Sequence, residues 1–314
     1  MRGHALRPAG PDDLVTCATI WREALNDYLG RLAQPDIPDD LGPILRLYGH
    51  IRSTDPATFV VAARDEDAAL IDGFVVAVRR DELWFLSMLF VRPAAQGRGL
   101  GRRLLEAVSP DPATWSGSRA TATDTAQPIS NGLYGSLGMV PRVPLLRLVG
   151  LPAERGAFPS LPDGIEAVAF DEVTDDGGGL APAALAAELA ELDRDAAGFT
   201  RAADHAFHAA EGRIGFLYRD RDGRAIAYGY TSEAGRVGPI AVRDAGLLGA
   251  VTGHLLRALR PRGAFGLWVP GTAGEAIVPL LRSGLRVEGF PVLLCWDRPF
   301  ADFARYVPAS PGLL

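Results

Sequence analysis

Three glycines fall at alternate positions, Gly97, Gly99 and Gly101, where the run Leu89-Phe90-Val91-Arg92-Pro93 gives way to Leu100-Gly101-Arg102-Arg103-Leu104-Leu105. Alternate glycines remove the Cβ atoms that would keep a ligand off the main chain, and they accept positive φ. At a helix start the first N–H groups have no intrahelical acceptor, and the helix dipole makes that end positive. Together these features suit a phosphate group. A plain strand-to-helix connection needs one glycine as a turn, not three. The spacing is Gly-x-Gly-x-Gly, so neither the dinucleotide-binding G-x-G-x-x-G nor the G-x-x-x-x-G-K-[ST] loop fits. The stretch also follows the fourth expected strand rather than the first.

Other chemistry-bearing residues give weaker signals. His205 and His208 lie three apart on an expected helix with no third ligand, and no Cys/His cluster has zinc spacing, so no metal is expected. Asp193, Arg194, Asp195 and Arg201 cluster at a helix end. They read either as a salt-bridged surface or as part of a substrate wall. Cys17 and Cys295 sit in apolar stretches of opposite halves and read as buried free thiols.

Composition narrows the class. The chain has 314 residues, enough for two domains, with 48% hydrophobic and 22% charged residues. The net charge of -6 argues against a nucleic-acid partner and decides little about any other. All 32 basic residues are arginine, which is a compositional trait and not a functional signal. No apolar run reaches the roughly 18 residues of a membrane span. The first residues, MRGHALRPAGPDD, carry no hydrophobic signal core. The expectation is a cytoplasmic protein without a membrane partner, as a monomer or homodimer.

The elements that must hold the glycine loop can be read from periodicity. Residues 4–29 read as strand then helix, with Asp12 or Asp13 as cap and Leu14, Ala18, Ile20, Trp21 and Leu25 on the apolar face. A second helix follows the proline-bounded loop at 36–43. Residues 59–93 read as three strands broken at 64–69 and 79–82. After the loop come a helix, the alternating strand Arg119–Thr125, a helix ending at Gly138 as C-cap, and a strand from Val143. Residues 150–164 are rich in Pro and Gly and form the best linker. The second half then repeats the order, including a hairpin turning at Asp222-Gly223. Phe90-Val91-Arg92 aligns with Ala241-Val242-Arg243, and Leu104-Leu105 with Leu255-Leu256, without a gap. The reading is α/β (α+β): two similar domains, 1–149 and 165–314, each a mixed, largely antiparallel twisted sheet flanked by helices. In the second, Leu247, Leu248, Ala250 and Thr252 replace Gln96, Gly97, Gly99 and Gly101, and Leu280 stands at the counterpart of Tyr134.

Gln96-Gly97-Arg98-Gly99-Leu100-Gly101 after Leu89-Phe90-Val91-Arg92-Pro93 resembles the acetyl-CoA signature of the GNAT superfamily of N-acyltransferases. Leu133-Tyr134-Gly135-Ser136-Leu137-Gly138-Met139 resembles the family's Leu-Tyr-x-x-x-Gly-Phe box. Gln127 stands seven before Tyr134, where the family usually has Asn. The likeness covers most of residues 1–149, and the whole chain looks like a tandem GNAT with a degenerate second copy.

The resemblance implies acetyl-CoA as cosubstrate and a small, cationic amine as acceptor. N–H groups of 97–102 would hold the pyrophosphate, with Arg98 and Arg102 either reinforcing it or standing as solvated arginines. Leu89, Phe90 and Val91 would present main-chain groups to the pantetheine as an added strand does, and the N–H near Leu89 would polarise the thioester. Gln127 and Asn131 would lie near the coenzyme. Tyr134 stands at the family's proton donor. Ser87 is the only polar group in the strand that often carries the base, and Asp124 reads either as a base or as a capping residue. Asp27 and Tyr28 lie on the helices that overhang the acceptor pocket in this fold. Two rival readings remain: a non-catalytic acyl-CoA sensor, and a protein N-terminal or lysine acetyltransferase.

Overall fold

The computed structural model describes residues 3–153, 158–173 and 182–314. Residues 154–157 of the expected linker lie outside them. The chain separates into two compact units, Met1–Arg119 and Ala120–Leu314. Both are built from twisted, mostly antiparallel sheet flanked by helices. No helix among the described residues is long and apolar enough to cross a membrane.

The first unit runs β1 (His4–Pro8), α1 (Asp13–Arg31), α2 (Gly42–Thr54), β2 (Phe59–Arg64), β3 (Asp67–Arg80), β4 (Leu83–Val91) and α3 (Leu100–Val108). Strands β1 to β4 pair in sequence order, all antiparallel. Strand β3 is buried continuously from Ile71 to Val78, because helices cover both of its faces. Tyr48, Phe59, Phe74 and Phe90 form an aromatic core with ring centroids 5.5 to 6.1 Å apart. Such pairs contribute about 0.5–1.5 kcal/mol each beyond area burial. Helix α1 buries Cys17, Ala18, Ile20, Ala24 and Tyr28. Asp12 stands at its N-cap but makes no side-chain cap bond. Asp13 instead accepts from the Gly10 N–H at 2.7 Å and pairs with both terminal nitrogens of Arg7. In β4 the register to β3 slips, Met88 facing Val76 and Leu86 facing Ala77. Ser87 is therefore a bulge residue, which re-aims the strand beyond it.

The second unit contains β5 (Ser118–Asp124), α4 (Pro128–Gly135), β6 (Val140–Gly150), β7 (Glu166–Ala169), α5 (Pro182–Ala196), α6 (Ala202–Ala210), β8 (Ile214–Arg219), β9 (Ala225–Thr231), β10 (Ile240–Val242), α7 (Leu248–Ala258), β11 (Phe265–Pro270), α8 (Gly274–Arg282), β12 (Arg286–Val287), β13 (Val292–Trp296) and β14 (Tyr306–Val307). Helix α4 stops at Gly135, short of the expected Gly138, and β12 and β14 carry no two-residue pattern that periodicity could reveal. Strands β7-β8-β9-β10 repeat the order of β1-β2-β3-β4.

Strand β13 lies between β5 and the first half of β6, with Val292 to Trp296 facing Asp124 to Ala120 on one side and Leu145 to Val140 on the other. The second half of β6 pairs with β11 over Leu145–Gly150 and with β12 at Leu148 and Val149. Each repeat thus lends its closing strand to the other. This exchange explains why residues 120–150, assigned by the repeat to the first half, pack with the second.

Asp193 and Arg201 are not the surface cluster that sequence allowed. Both are fully buried and paired at 3.0 Å. Tyr228 donates to Asp193 Oδ1 at 2.6 Å, and His205 Nε2 meets Asp193 Oδ2 at 2.9 Å. On its other side, His205 Nδ1 meets the Tyr230 hydroxyl at 2.7 Å.

Candidate active site

The glycine loop forms as expected at the mouth of α3. Gly99 is the N-cap, with φ 80° and ψ 0°, and Gly97 has φ 74°. These are left-handed conformations that a Cβ disfavours. A Cβ built on either glycine meets nothing within 4 Å, so the space beside the loop is open. The first helical bond runs from Arg103 N–H to Gly99 O at 3.1 Å. N–H groups of 97–101 have no hydrogen-bond partner among the described residues. Gln96, Arg98 and Arg102 are exposed beside them. Leu100, Leu104, Leu105 and Val108 are buried and fix the helix on the sheet.

Gln96 acts inside the loop: its Nε2 donates to Val91 O at 2.9 Å and ties the turn to the strand end. Arg92 N–H donates to Asp72 O at 2.8 Å. Antiparallel ladders alternate, so Phe90 also faces β3, while Leu89 and Val91 turn their main-chain groups away from it. Val91 O is taken by Gln96, which leaves Leu89 and the Val91 N–H as the main-chain groups turned away from β3.

Arg92 went unnoticed in the sequence. Its Nε also donates to Ile71 O at 2.9 Å, and its guanidinium pairs with Glu23 of α1. The only signal was its place between the strand and Pro93, repeated at Arg243. Glu23 also lines a cavity of about 360 Å³ with Thr19, Arg22, Asn26, Asp39 and Leu41. Asp27 lies outside it and pairs with Arg31, and Tyr28 is buried in the core. Ser87 is buried at the β4 bulge.

In the second unit, Tyr134 on α4 is buried, with Ser130 as hydrogen-bond partner and Cys295 of β13 nearby. Burial lifts its hydroxyl above the ordinary phenol range, so it stays protonated through neutral pH. Burial pushes the Cys295 thiol up to about 12. Asp124 Oδ1 accepts from the Ala126 N–H at 3.1 Å, a bond within the turn that precedes α4. Asn131 Nδ2 braces the same turn through Asp124 O at 3.1 Å and Gln127 O at 2.8 Å. Gln127 is the N-cap of α4 and makes no side-chain cap bond.

Residues 55–139 match the acetyltransferase (GNAT) domain family. That span holds β2 to β5, the glycine loop and Tyr134. No curated protein matches the chain. Among solved structures, a Pyrococcus horikoshii protein assigned as an acetyltransferase is 15% identical, with TM-score 0.72, covering 100% of this chain and 97% of that one. A GCN5-related N-acetyltransferase from Sphaerobacter thermophilus is 18% identical, with TM-score 0.58, covering 96% and 98%. A tandem GNAT protein from the clavulanic acid biosynthesis pathway is 13% identical, with TM-score 0.56, covering 94% and 99%. At these identities the likeness shows the fold, and the family match itself spans residues 55–139. Residues 55–139 thus form an acetyltransferase (GNAT) domain, within a chain that shares its fold with acetyltransferases of known structure.

Proposed function

We propose that this protein is an acetyl-CoA-dependent N-acetyltransferase acting in the cytoplasm on a small, cationic amine. The reading assigns catalysis to residues 1–149, a linker to 150–164 and a non-catalytic, degenerate copy to 165–314. One observation carries it. The mouth of α3 offers unpartnered N–H groups at 97–101 into open space, and Gly97 and Gly99 hold conformations that keep Cβ atoms out of the way. This fits a diphosphate, with Arg98 and Arg102 within the same exposed turn.

Acetyl-CoA, when bound, supplies the activated acetyl group. Leu89 and the Val91 N–H give the strand-edge contacts for the pantetheine amides, and the Leu89 N–H is the donor for the thioester oxygen. Tyr134, kept neutral by burial, holds a proton for the departing sulfur as a positioned hydrogen-bond donor. Ser87 cannot act as a base alone but can hold a water. Carboxylates Glu23, on α1, and Asp39, in the segment before α2, line the cavity and support a cationic acceptor, although each also meets an arginine of its own, Arg92 and Arg22. The buried Tyr134 and the lack of a carboxylate on β4 favour one rival, a non-catalytic acyl-CoA sensor. That rival predicts binding without thiol release across a panel of amines.

Gly99→Val, measured by calorimetry with CoA, tests the cradle. Because position 99 has positive φ, Gly101→Val is the companion without backbone strain; its Cβ meets only Val91 Cγ2, at 3.9 Å. Unchanged affinity in both variants overturns the reading.

A further inference from the structure

Strand β10 ends as β4 does. Arg243 N–H donates to Ile226 O at 2.8 Å and its Nε to Ala225 O at 2.9 Å. Arg92 makes the matching pair of bonds to Asp72 O at 2.8 Å and Ile71 O at 2.9 Å. Each guanidinium then reaches a glutamate on the first helix of its repeat, Glu191 or Glu23. These bonds equate the two strands residue for residue. Ile240 and Val242 stand where Leu89 and Val91 stand, with main-chain groups turned away from β9 as those are from β3.

In the second repeat that edge is filled by the chain itself. Val242 N–H donates to Arg305 O at 3.0 Å. Beyond it, β14 pairs antiparallel, Ala241 facing Tyr306 and Ile240 facing Val307. The segment is clamped from both sides. Arg201 lies 4.5 Å from the centre of the buried Tyr306 ring and donates to its hydroxyl, while Asp193 holds Arg201 from behind. Arg305 pairs with Asp195 at 2.7 Å and with Asp302 at 2.7 Å, and donates to Arg243 O at 3.2 Å. The buried Asp193–Arg201 pair thus has a use: it fixes the aromatic anchor of the strap.

We propose that residues 305–307 are a built-in occupant of the second repeat's coenzyme edge, an added strand supplied by the protein in place of pantetheine. The strap is permanent and keeps that edge shut to coenzyme. It also covers a row of main-chain groups that would otherwise be a template for pairing with another chain. The proposal rests on the function proposed above only in taking the β4 edge as the coenzyme edge.

Residue-resolved amide exchange on the full chain tests it, with and without saturating CoA. Ile240 and Val242 should exchange at least roughly a hundredfold slower than unstructured amides, and CoA should leave them unchanged. Val307→Pro removes the donor facing Ile240 and should speed both amides about tenfold or more. Should that variant fold poorly, Tyr306→Phe removes only the hydroxyl bond to Arg201 and should speed them about two- to tenfold. Fast exchange at Ile240 and Val242 in the unaltered protein, no response to either substitution, or acceleration by CoA each overturns the proposal. Failure of CoA to protect 97–101 strikes the coenzyme reading instead and leaves the strap intact.

Discussion

The mouths of α3 and α7 begin from the same scaffold and end in opposite states. Each follows the fourth strand of a repeat, and each strand is clasped by one arginine to its neighbour and to a helix glutamate. At α3, Gly97, Arg98 and Gly99 are exposed, and the space for a Cβ is empty. At α7, residues Leu248 to Gly253 are all buried. A Cβ on Gly249 would lie 2.6 Å from Glu275 O and 3.3 Å from Pro159 Cγ. The second mouth is stopped by the start of α8, and the strand beside it is covered by β14. Shared topology therefore leaves the two mouths in different surroundings. The two repeats differ in who occupies two places: a helix mouth and a strand edge.

Substituting the glycines tests that contrast most directly. Gly99→Val should weaken CoA binding by at least about a hundredfold, or roughly 2.7 kcal/mol. Titration of the unaltered protein should saturate at one CoA per chain, and two would mean that the second mouth opens. Tyr134→Phe should lower kcat by about ten- to a thousandfold with CoA affinity nearly constant, as steady-state kinetics beside calorimetry would show. At the stopped mouth the same type of change should act on stability instead. Gly249→Val forces a side chain against the Glu275 carbonyl, with an expected cost of about 1–3 kcal/mol and a lower Tm. The CoA affinity of the folded protein should not move. This pair of glycine variants breaks the comparison if the two outcomes coincide.

A smaller effect concerns pH. His208 is fully buried, and neither ring nitrogen has a partner among the described residues. Burial, with nearby Arg213, holds its pKa well below the usual imidazole value. The unfolded chain binds a proton near pH 6.5 that the folded one refuses, so stability is intact above that pH and falls below it. The slope is at most about 1.4 kcal/mol per pH unit. His208→Leu should flatten the Tm profile between about pH 6.5 and 5 while leaving the neutral-pH value close to the original.

The parts legible in sequence were those with local causes. Apolar runs between polar breaks marked β2 to β4, alternation marked β5, and the three glycines announced the open mouth because φ and the absence of a Cβ are properties of single residues. The gapless alignment of Arg92 with Arg243 was visible, although what those arginines hold was not. Long-range pairing hid the rest. Nothing in Val292–Trp296 says that it lies beside β5, and two-residue strands such as β14 have no period to read. The charge of Asp193 and Arg201 suggested solvent; only tertiary packing around Tyr228, His205 and Tyr306 makes their burial tolerable. The turn-bracing bonds of the Gln96 and Asn131 amides were not visible in the sequence either.

The exchanged strands also set a timetable for biosynthesis. The slot between β5 and β6 stays vacant until Val292–Trp296 has been made. At usual translation speeds the intervening chain takes about ten to thirty seconds to emerge from the ribosome. Throughout that interval the nascent first repeat carries an unfilled seam, and any strand-like segment from elsewhere is a competitor for it.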